Sequence, residues 1–250
     1  MYYIVTLSRR IFTGTRDVLV TDIVQYVSRM VGEAIAARGQ CLLAVPGGSV
    51  ADAVLPPLSR ALLPWDRVHL FWCDERAVPV SHRDSNAGQA MRLVAGSSLA
   101  TVAHLHPMSG DGPDLLAAAD MYAVELNTVA GSPPVLDLVL LGVGDDGHVA
   151  SLFPGHAALE EQHRAVVVER HAPKAPTTRL SLSLPVLLRA RDIMIVAFGA
   201  NKADALHHAL EDSRATTPVA RVIRHASRVR IMLDDAAAGR LTYTKPEHLA

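Results

Sequence analysis

Patterns typical of buried β-strands alternate with patterns typical of amphipathic α-helices along the whole chain. Apolar runs such as Cys41–Val45, Val68–Cys73 and Asp192–Phe198 are separated by helical stretches such as Asp22–Arg38. Continuous apolar strands are typical of parallel sheets that are covered on both faces. The alternation therefore predicts an α/β fold with a mainly parallel sheet and helices on both faces. No linker or repeat divides the sequence, so we expect a single domain over residues 1–250.

Composition and charge narrow the class of protein. Half of the residues are hydrophobic and one fifth are charged, as in a globular chain rather than a disordered one. The formal net charge of −1 creates no broad field that would attract nucleic acid or an anionic membrane, so neither is expected as a partner. An anionic ligand would have to be held by local positive groups.

The cysteines and the lack of a targeting pattern indicate the compartment. Cys41 and Cys73 lie in apolar runs, and the sequence has neither a CxxC motif nor a disulfide framework. The first residues lack the apolar core of a signal peptide, and no apolar run approaches the ~20 residues of a membrane helix. We expect a soluble, cytoplasmic protein that is a monomer or a weak homo-oligomer.

The stretch Val135–Gly155 carries the strongest indication of chemistry. It begins as a buried strand and opens at two glycines into a loop that holds Asp145, Asp146, Gly147 and His148. Enzymes of the α/β class place reactive groups at the carboxyl ends of strands. A neighbouring carboxylate can fix the tautomer of an imidazole and stabilise its protonated form, which suits a general base. The alternative is a histidine with a structural role.

Metal binding is a rival interpretation of the same histidine. The sequence contains no HExxH motif, and the other histidines are scattered without the spacing of metal ligands. We therefore expect no metal.

A second glycine-rich turn, Gly47-Gly48-Ser49, lies between a predicted strand and a short helix that Pro56 and Pro57 are expected to stop or kink. Glycines allow the backbone to approach a ligand, and the following helix presents free N–H groups to an anion. The spacing fits neither GxGxxG nor GxxxxGK[ST], so no nucleotide cofactor is expected. A plain tight turn is the alternative to phosphate binding.

Three cationic positions complete the candidate site. Arg76 ends the triplet Asp74-Glu75-Arg76 after an apolar strand, where it could donate to a phosphate with one carboxylate as its positioner. The alternative is a solvated loop with a weak ion pair. Arg179 follows a proline-rich loop, and Lys202 begins a helix, where a cation is mildly unfavourable unless an anion binds beside it. Asp84 is expected to cap the helix that follows the triplet.

Five blocks of this sequence together resemble the 6-phosphogluconolactonase family. They fall in family order between about residues 40 and 210. The blocks are GVGDDGHVASLFPG, the Asp74-Glu75-Arg76 loop with Val78-Pro79 and His82, the Asp84-Ser85-Asn86 cap, HAPKAPTTRLSLSLPVL and GANKADAL.

The resemblance implies a Rossmann-like three-layer sandwich and metal-free hydrolysis of 6-phospho-D-glucono-1,5-lactone to 6-phosphogluconate, a step of the oxidative pentose phosphate pathway. By position, His148 matches the general base and Asp146 the aspartate beside it. The positions associated with substrate or phosphate are Gly47, Gly48, Ser49, Arg76, Arg179 and Lys202, and Lys174 matches a recurrent lysine.

The glycine turn departs from the family pattern Ser-Gly-Gly-Ser-Thr-Pro. Pro46, Val50 and Ala51 replace the first serine, the threonine and the proline, which removes two hydroxyl donors. Backbone N–H groups and Ser49 remain, so we expect a working site with weaker phosphate binding.

Two other functions stay open at this point. One is a sugar-phosphate isomerase like the related glucosamine-6-phosphate deaminases, and the other is a non-catalytic sugar-phosphate sensor.

Overall fold

The computed structural model describes residues 3–6 and 9–242 of the chain. Its strands, in chain order, are β1 (Tyr3–Thr6), β2 (Arg9–Gly14), β3 (Cys41–Val45), β4 (Val68–Trp72), β5 (Asp74–Arg76), β6 (His104–His106), β7 (Leu138–Gly142), β8 (Val166–Glu169), β9 (Arg179–Leu182), β10 (Ile193–Ala197) and β11 (Val229–Asp234). The helices are α1 (Arg16–Arg38), α2 (Gly48–Ser59), α3 (Asn86–Leu93), α4 (Ser98–Val102), α5 (Leu115–Ala130), α6 (Leu184–Arg189), α7 (Ala203–Glu211) and α8 (Pro218–His225). Short 3₁₀ turns span Trp65–Arg67, Ala157–Glu160 and Ala200–Lys202.

The main sheet has eight strands in the order β1-β2-β11-β10-β7-β3-β4-β6. All neighbouring strands are parallel except β1 and β2, which pair antiparallel. This confirms the predicted mainly parallel α/β fold. The extension of one domain over all of residues 1–250 includes positions outside the described residues and stays a prediction.

Side chains of successive strand residues enter two separate hydrophobic cores. In β3, Leu42 and Ala44 contribute to the core under α5, α6, α7 and α8. Cys41, Leu43 and Val45 contribute to the core under α1, α2, α3 and α4. All five residues are buried because both faces of the sheet are covered, which is why the strand reads as a continuous apolar run.

The strand order places four loops at one edge of the sheet. Strands β4 and β6 follow β3 toward one end of the strand order. Strands β7, β10 and β11 lie on the other side of β3, toward the opposite end. The order therefore reverses between β3 and β7, and ligands of open α/β sheets bind at such a reversal, outside the carboxyl ends of the strands. The loops after β3, β4, β7 and β10 carry most of the predicted site residues.

A second, antiparallel sheet has three strands in the order β5-β9-β8. Its strand β5 is the triplet Asp74-Glu75-Arg76, which the sequence suggested to be a loop. In the register of β5 with β9, Arg76 lies opposite Arg179. The small sheet thus brings together two cations that are about a hundred residues apart in the sequence.

Two helix boundaries differ from the prediction. Helix α1 begins at Arg16 rather than Asp22, because Leu19 is fully buried and extends the apolar face toward the N-terminus. Thr21 is of a residue type that often caps helices, but here it lies within the helix and donates its hydroxyl hydrogen to the carbonyl of Asp17. Helix α3 is capped by Ser85 rather than Asp84, since the Ser85 hydroxyl accepts a hydrogen bond from the N–H of Gly88.

Helix α2 also differs from the expectation. Pro56 and Pro57 lie inside it, and it continues to Ser59. Each proline lacks the N–H that would bond a carbonyl one turn earlier, so the helix forgoes these hydrogen bonds and ends two residues after Pro57.

Candidate active site

A cavity of about 230 Å³ opens at the carboxyl edge of the main sheet. It is lined by eight of the residues that the sequence predicted for the site, namely Gly47, Gly48, Ser49, Arg76, His148, Lys174, Arg179 and Lys202. A neighbouring cavity of about 260 Å³ shares His148 with it and is also lined by Asp146. The structure thus brings all of the predicted site residues to one place.

His148 and Asp146 form a hydrogen-bonded pair on the loop after β7. The His148 Nδ1 atom lies 2.6 Å from Asp146 Oδ1, and the backbone N–H of His148 donates to the same oxygen at 3.0 Å. Burial raises the pKa of the Asp146 carboxyl, but the hydrogen bonds from His148 outweigh this effect and the pKa falls to about 2. Asp146 is therefore ionised at neutral pH and only accepts hydrogen bonds.

The ionised carboxylate decides which nitrogen of the neutral imidazole carries the hydrogen. Because Asp146 needs a donor, the hydrogen lies on Nδ1, and Nε2 of His148 is left with a free lone pair. This arrangement suits His148 to accept a proton at Nε2.

Packing fixes the position of the imidazole ring. The buried side chain of Phe153 lies against it with ring centroids 4.5 Å apart. On the other side, the ring approaches the backbone of Gly144 so closely that a Cβ atom there would lie 2.0 Å from Nδ1. The loop is closed by hydrogen bonds from Gly144 N–H to His148 O and from Gly147 N–H to Gly144 O. The glycine is thus required by the close approach of the histidine.

The glycine turn after β3 forms the beginning of helix α2. Gly47 is the N-cap and Gly48 has a positive φ of 66°. The first N–H groups of a helix have no intrahelical partner, so this end of α2 can donate to an anion in the cavity. The N–H of Gly48 is already engaged, since it donates to Gln89 Oε1 at 2.8 Å. The remaining amides of this turn include those of Ser49 and Val50.

The triplet Asp74-Glu75-Arg76 is neither a solvated loop nor a surface ion pair. Glu75 is 1% exposed and accepts four hydrogen bonds, three from backbone N–H groups at Arg76, Asn86 and Ala87 and one from the Ser85 hydroxyl. Burial raises its pKa, and these hydrogen bonds oppose the rise. Glu75 therefore joins β5 to the beginning of α3, and it holds the backbone of Arg76 rather than its guanidinium.

The guanidinium of Arg76 is only partly used within the protein. Its Nη1 donates to the carbonyl of Asp84 at 2.7 Å, whereas the buried Nε has no hydrogen-bond partner among the described residues. Arg179 is 6% exposed, and its Nε and Nη2 donate to the carbonyls of Pro176 and Lys174 at 2.9 and 2.8 Å. Both arginines are thus held by backbone carbonyls, with part of each guanidinium left for a ligand.

The two lysines differ in their surroundings. Lys174 is exposed and pairs with Asp145, whose Oδ2 lies 2.7 Å from the lysine Nζ and whose pKa this bond lowers. Lys202 precedes α7 and is partly buried, and burial lowers the pKa of its ammonium while Asp145 opposes the shift. The cavity is therefore positively charged overall, which suits an anionic ligand.

Three residues that contact this machinery were missed by the sequence analysis as functional candidates. Gln89 binds the backbone of Gly48, Asn86 lines the cavity and donates to Asp74, and Phe153 packs on His148. Phe153 lies in the block GVGDDGHVASLFPG, five residues after His148, and this proximity could have suggested a role near the histidine. No sequence signal connects position 89 with position 48.

The described part of the chain contains neither a candidate metal cluster nor a membrane-spanning helix. Within residues 3–6 and 9–242, no group of three or more His, Cys, Asp and Glu residues could hold a metal ion. No helix in these residues has both the length and the apolar character needed to cross a membrane.

Comparison with known proteins gives consistent matches over most of the chain. Residues 14–232 match the family model described as glucosamine-6-phosphate isomerases/6-phosphogluconolactonase. The chain is 37% identical to a 6-phosphogluconolactonase of Mycobacterium tuberculosis over 232 residues, covering 89% of this chain and 94% of that protein. It is 36% identical to a Streptomyces coelicolor 6-phosphogluconolactonase over 222 residues, covering 84% and 85%.

Solved structures show the same fold. The structure of 6-phosphogluconolactonase from Trypanosoma brucei superposes with a TM-score of 0.81 at 26% identity, covering 93% of this chain and 98% of that one. The Shewanella baltica 6-phosphogluconolactonase gives a TM-score of 0.80 at 27% identity, covering 93% and 100%. The chain therefore belongs to the family of glucosamine-6-phosphate isomerases and 6-phosphogluconolactonases.

Proposed function

We propose that this protein is an enzyme that hydrolyses 6-phospho-D-glucono-1,5-lactone to 6-phospho-D-gluconate in the oxidative pentose phosphate pathway. The curated relatives that match most of the chain are named 6-phosphogluconolactonase. The observation that carries the proposal is the His148–Asp146 pair beside a cavity that also holds a helix N-terminus and several cations. A base and a separate anion site are what hydrolysis of a phosphorylated lactone requires.

The phosphate is held away from the reacting carbonyl. The free N–H groups at the beginning of α2 donate to its oxygens, and Lys202 and Arg179 neutralise its charge. Arg76 and Lys174 line the same cavity and add to its positive potential. Binding this remote group orients the lactone, so that binding energy is used to place the carbonyl near His148.

His148 activates the attacking water. Its Nε2 takes a proton from the water as the water oxygen bonds to the lactone carbonyl carbon, giving a tetrahedral intermediate and an imidazolium. The bond between that carbon and the ring oxygen then breaks, and the imidazolium returns its proton to the ring oxygen. The new carboxylic acid ionises in water. Asp146 stays ionised throughout, holding the imidazole in position and stabilising its charge.

The test is turnover of the purified protein on 6-phospho-D-glucono-1,5-lactone, corrected for spontaneous hydrolysis. We expect His148→Asn to lower kcat by about 10²–10⁴-fold, because the base is lost, while KM changes little. His163→Asn, at an exposed histidine, is the matched control. An unchanged kcat in His148→Asn would remove this residue from the mechanism. Turnover of glucosamine-6-phosphate in place of the lactone would instead identify the isomerase activity of the family.

The proposal keeps the cytoplasmic location expected from the sequence. Cys41 and Cys73 are free and buried, as is usual for thiols in a reducing compartment.

A further inference from the structure

We propose that Gln89 is a positioning residue for the phosphate site and that its side-chain amide sets the orientation of the turn at Gly48. This inference rests on the proposed function, since it concerns how the same site binds the phosphate of the lactone. Gln89 lies on α3 and is not among the residues that line the cavity.

The amide of Gln89 binds the backbone of Gly48 at two points. Gly48 N–H donates to Gln89 Oε1 at 2.8 Å, and Gln89 Nε2 donates to Gly48 O at 3.2 Å. The same Nε2 donates its second hydrogen to Asp52 Oδ1 at 2.7 Å. The Nε2 group faces two acceptors, Gly48 O and Asp52 Oδ1, and Oε1 faces a donor, the N–H of Gly48. These partners define which end of the amide is the NH₂ group, because only that group donates. All of the amide's hydrogens are therefore used.

These contacts determine where the next N–H points. The peptide unit between Gly48 and Ser49 is planar and trans, so its C=O and N–H point in opposite directions. Gln89, which does not line the cavity, holds the carbonyl of this unit. The N–H of Ser49 therefore points away from Gln89, and Ser49 is one of the residues that line the cavity.

The turn needs such a constraint because Gly48 is conformationally free. Its φ is 66°, and an added Cβ atom would find no described atom within 4 Å. Glycine samples positive and negative φ about equally in the absence of other contacts. The two hydrogen bonds between Gly48 and Gln89 favour the conformation in which helix α2 presents its amides to the cavity.

The experiment measures phosphate binding and turnover in Gln89→Met, with Gln162→Met at an exposed glutamine as the matched control. Methionine keeps the length of the side chain but neither donates nor accepts these hydrogen bonds. We expect the Kd for inorganic phosphate, measured by calorimetry, to rise about tenfold, as expected for the loss of two hydrogen bonds that preorganise the site. KM for the lactone should rise by a similar factor, while kcat is retained. Gln162→Met should match the wild type in all three.

A second variant separates positioning from a general loss of packing. Gln89→Glu keeps an acceptor for Gly48 N–H but cannot donate to Gly48 O and repels Asp52. We expect it to raise the Kd for phosphate at least as much as Gln89→Met, and thermal unfolding verifies that both variants are folded. A wild-type Kd for phosphate in a folded Gln89 variant would overturn the inference. So would a loss confined to kcat, since this indicates damage at His148 instead.

Phosphate binding requires no turnover, so the inference and the proposed function can fail separately. If the wild type binds phosphate and the Gln89 variants do not, while the lactone is not hydrolysed, the positioning role holds and the proposed function is wrong. If the lactone is hydrolysed but the Gln89 variants bind phosphate normally, the proposed function holds and the positioning role is wrong.

Discussion

Replacement of Gly144 by alanine tests the His148–Asp146 pair without altering either residue. A Cβ atom at this position would lie 2.0 Å from His148 Nδ1, 2.2 Å from its Cε1 and 2.6 Å from Asp146 Oδ1. The backbone of Gly144 does not have a positive φ, so alanine adopts it without strain. The clash therefore falls on the side chains of the pair.

The size of the clash determines the expected effect. The nearest distance is about 1.4 Å shorter than the 3.4 Å at which ordinary contact begins, so the imidazole must move by roughly that amount. The loop backbone cannot easily absorb the shift, because two hydrogen bonds connect Gly144 to His148 and Gly147. A displacement of about 1 Å at a catalytic group costs about 10²-fold in rate. We expect kcat of Gly144→Ala to fall by about this factor, with little change in KM because the phosphate site is separate.

The assay is steady-state lactone hydrolysis, with thermal unfolding to verify the fold. Gly112→Ala is the matched control, because a Cβ atom there meets nothing within 4 Å and its φ is also not positive. A kcat of Gly144→Ala within about twofold of the control would refute the reasoning, since the imidazole would then not be held where catalysis needs it.

Three further predictions concern other parts of the molecule. Asp146→Asn should lower kcat by at least ~10²-fold with KM retained, because the neutral amide no longer stabilises the imidazolium on His148, and equal kcat values would contradict this role. Asp137→Ala should reduce the free energy of unfolding in urea by about 1–3 kcal/mol without changing kcat. Its buried carboxylate accepts from Leu42 N–H at the opposite end of the sheet, and an unchanged urea midpoint would argue against that contribution. Burial, with two neighbouring histidines, lowers the pKa of His69 from 6.5 to about 4. Below pH 6.5 the unfolded chain therefore binds a proton that the folded protein does not, and stability is lost as the pH falls toward 4. His69→Gln should flatten this dependence, and parallel stability curves would exclude the linkage.

Local patterns in the sequence predicted the fold class and the loop that brings Asp146 and His148 together. The apolar runs of β3, β4, β7 and β10 identified parallel strands because burial on both faces leaves no polar positions. The contact between Asp146 and His148 could also be predicted from the sequence, since two residues separated by one glycine in a tight loop must lie close together.

Contacts between residues far apart in the sequence could not be predicted in the same way. The antiparallel strands β5, β8 and β9 form their own sheet, and Arg76 and Arg179 meet only through its register. The pairing of Lys174 with Asp145, and of Gln89 with Gly48, connects loops and helices whose sequences show no matching pattern. The extra turns at the beginning of α1 were missed because Thr21 and Asp22 resemble a cap but lie within the helix.

The sequence by itself determined that strands and helices alternate and that an aspartate and a histidine share a glycine-rich loop after a buried strand. These features follow from hydrophobic periodicity and local chain geometry, which are written in neighbouring residues. The tertiary structure decided which strands are neighbours, and thereby that the loops after β3, β7 and β10 surround one cavity. Apolar burial selects the face of a strand but not its partner. The orientation of the amides at Ser49 and the placement of the imidazole of His148 therefore depend on contacts across the assembled sheet.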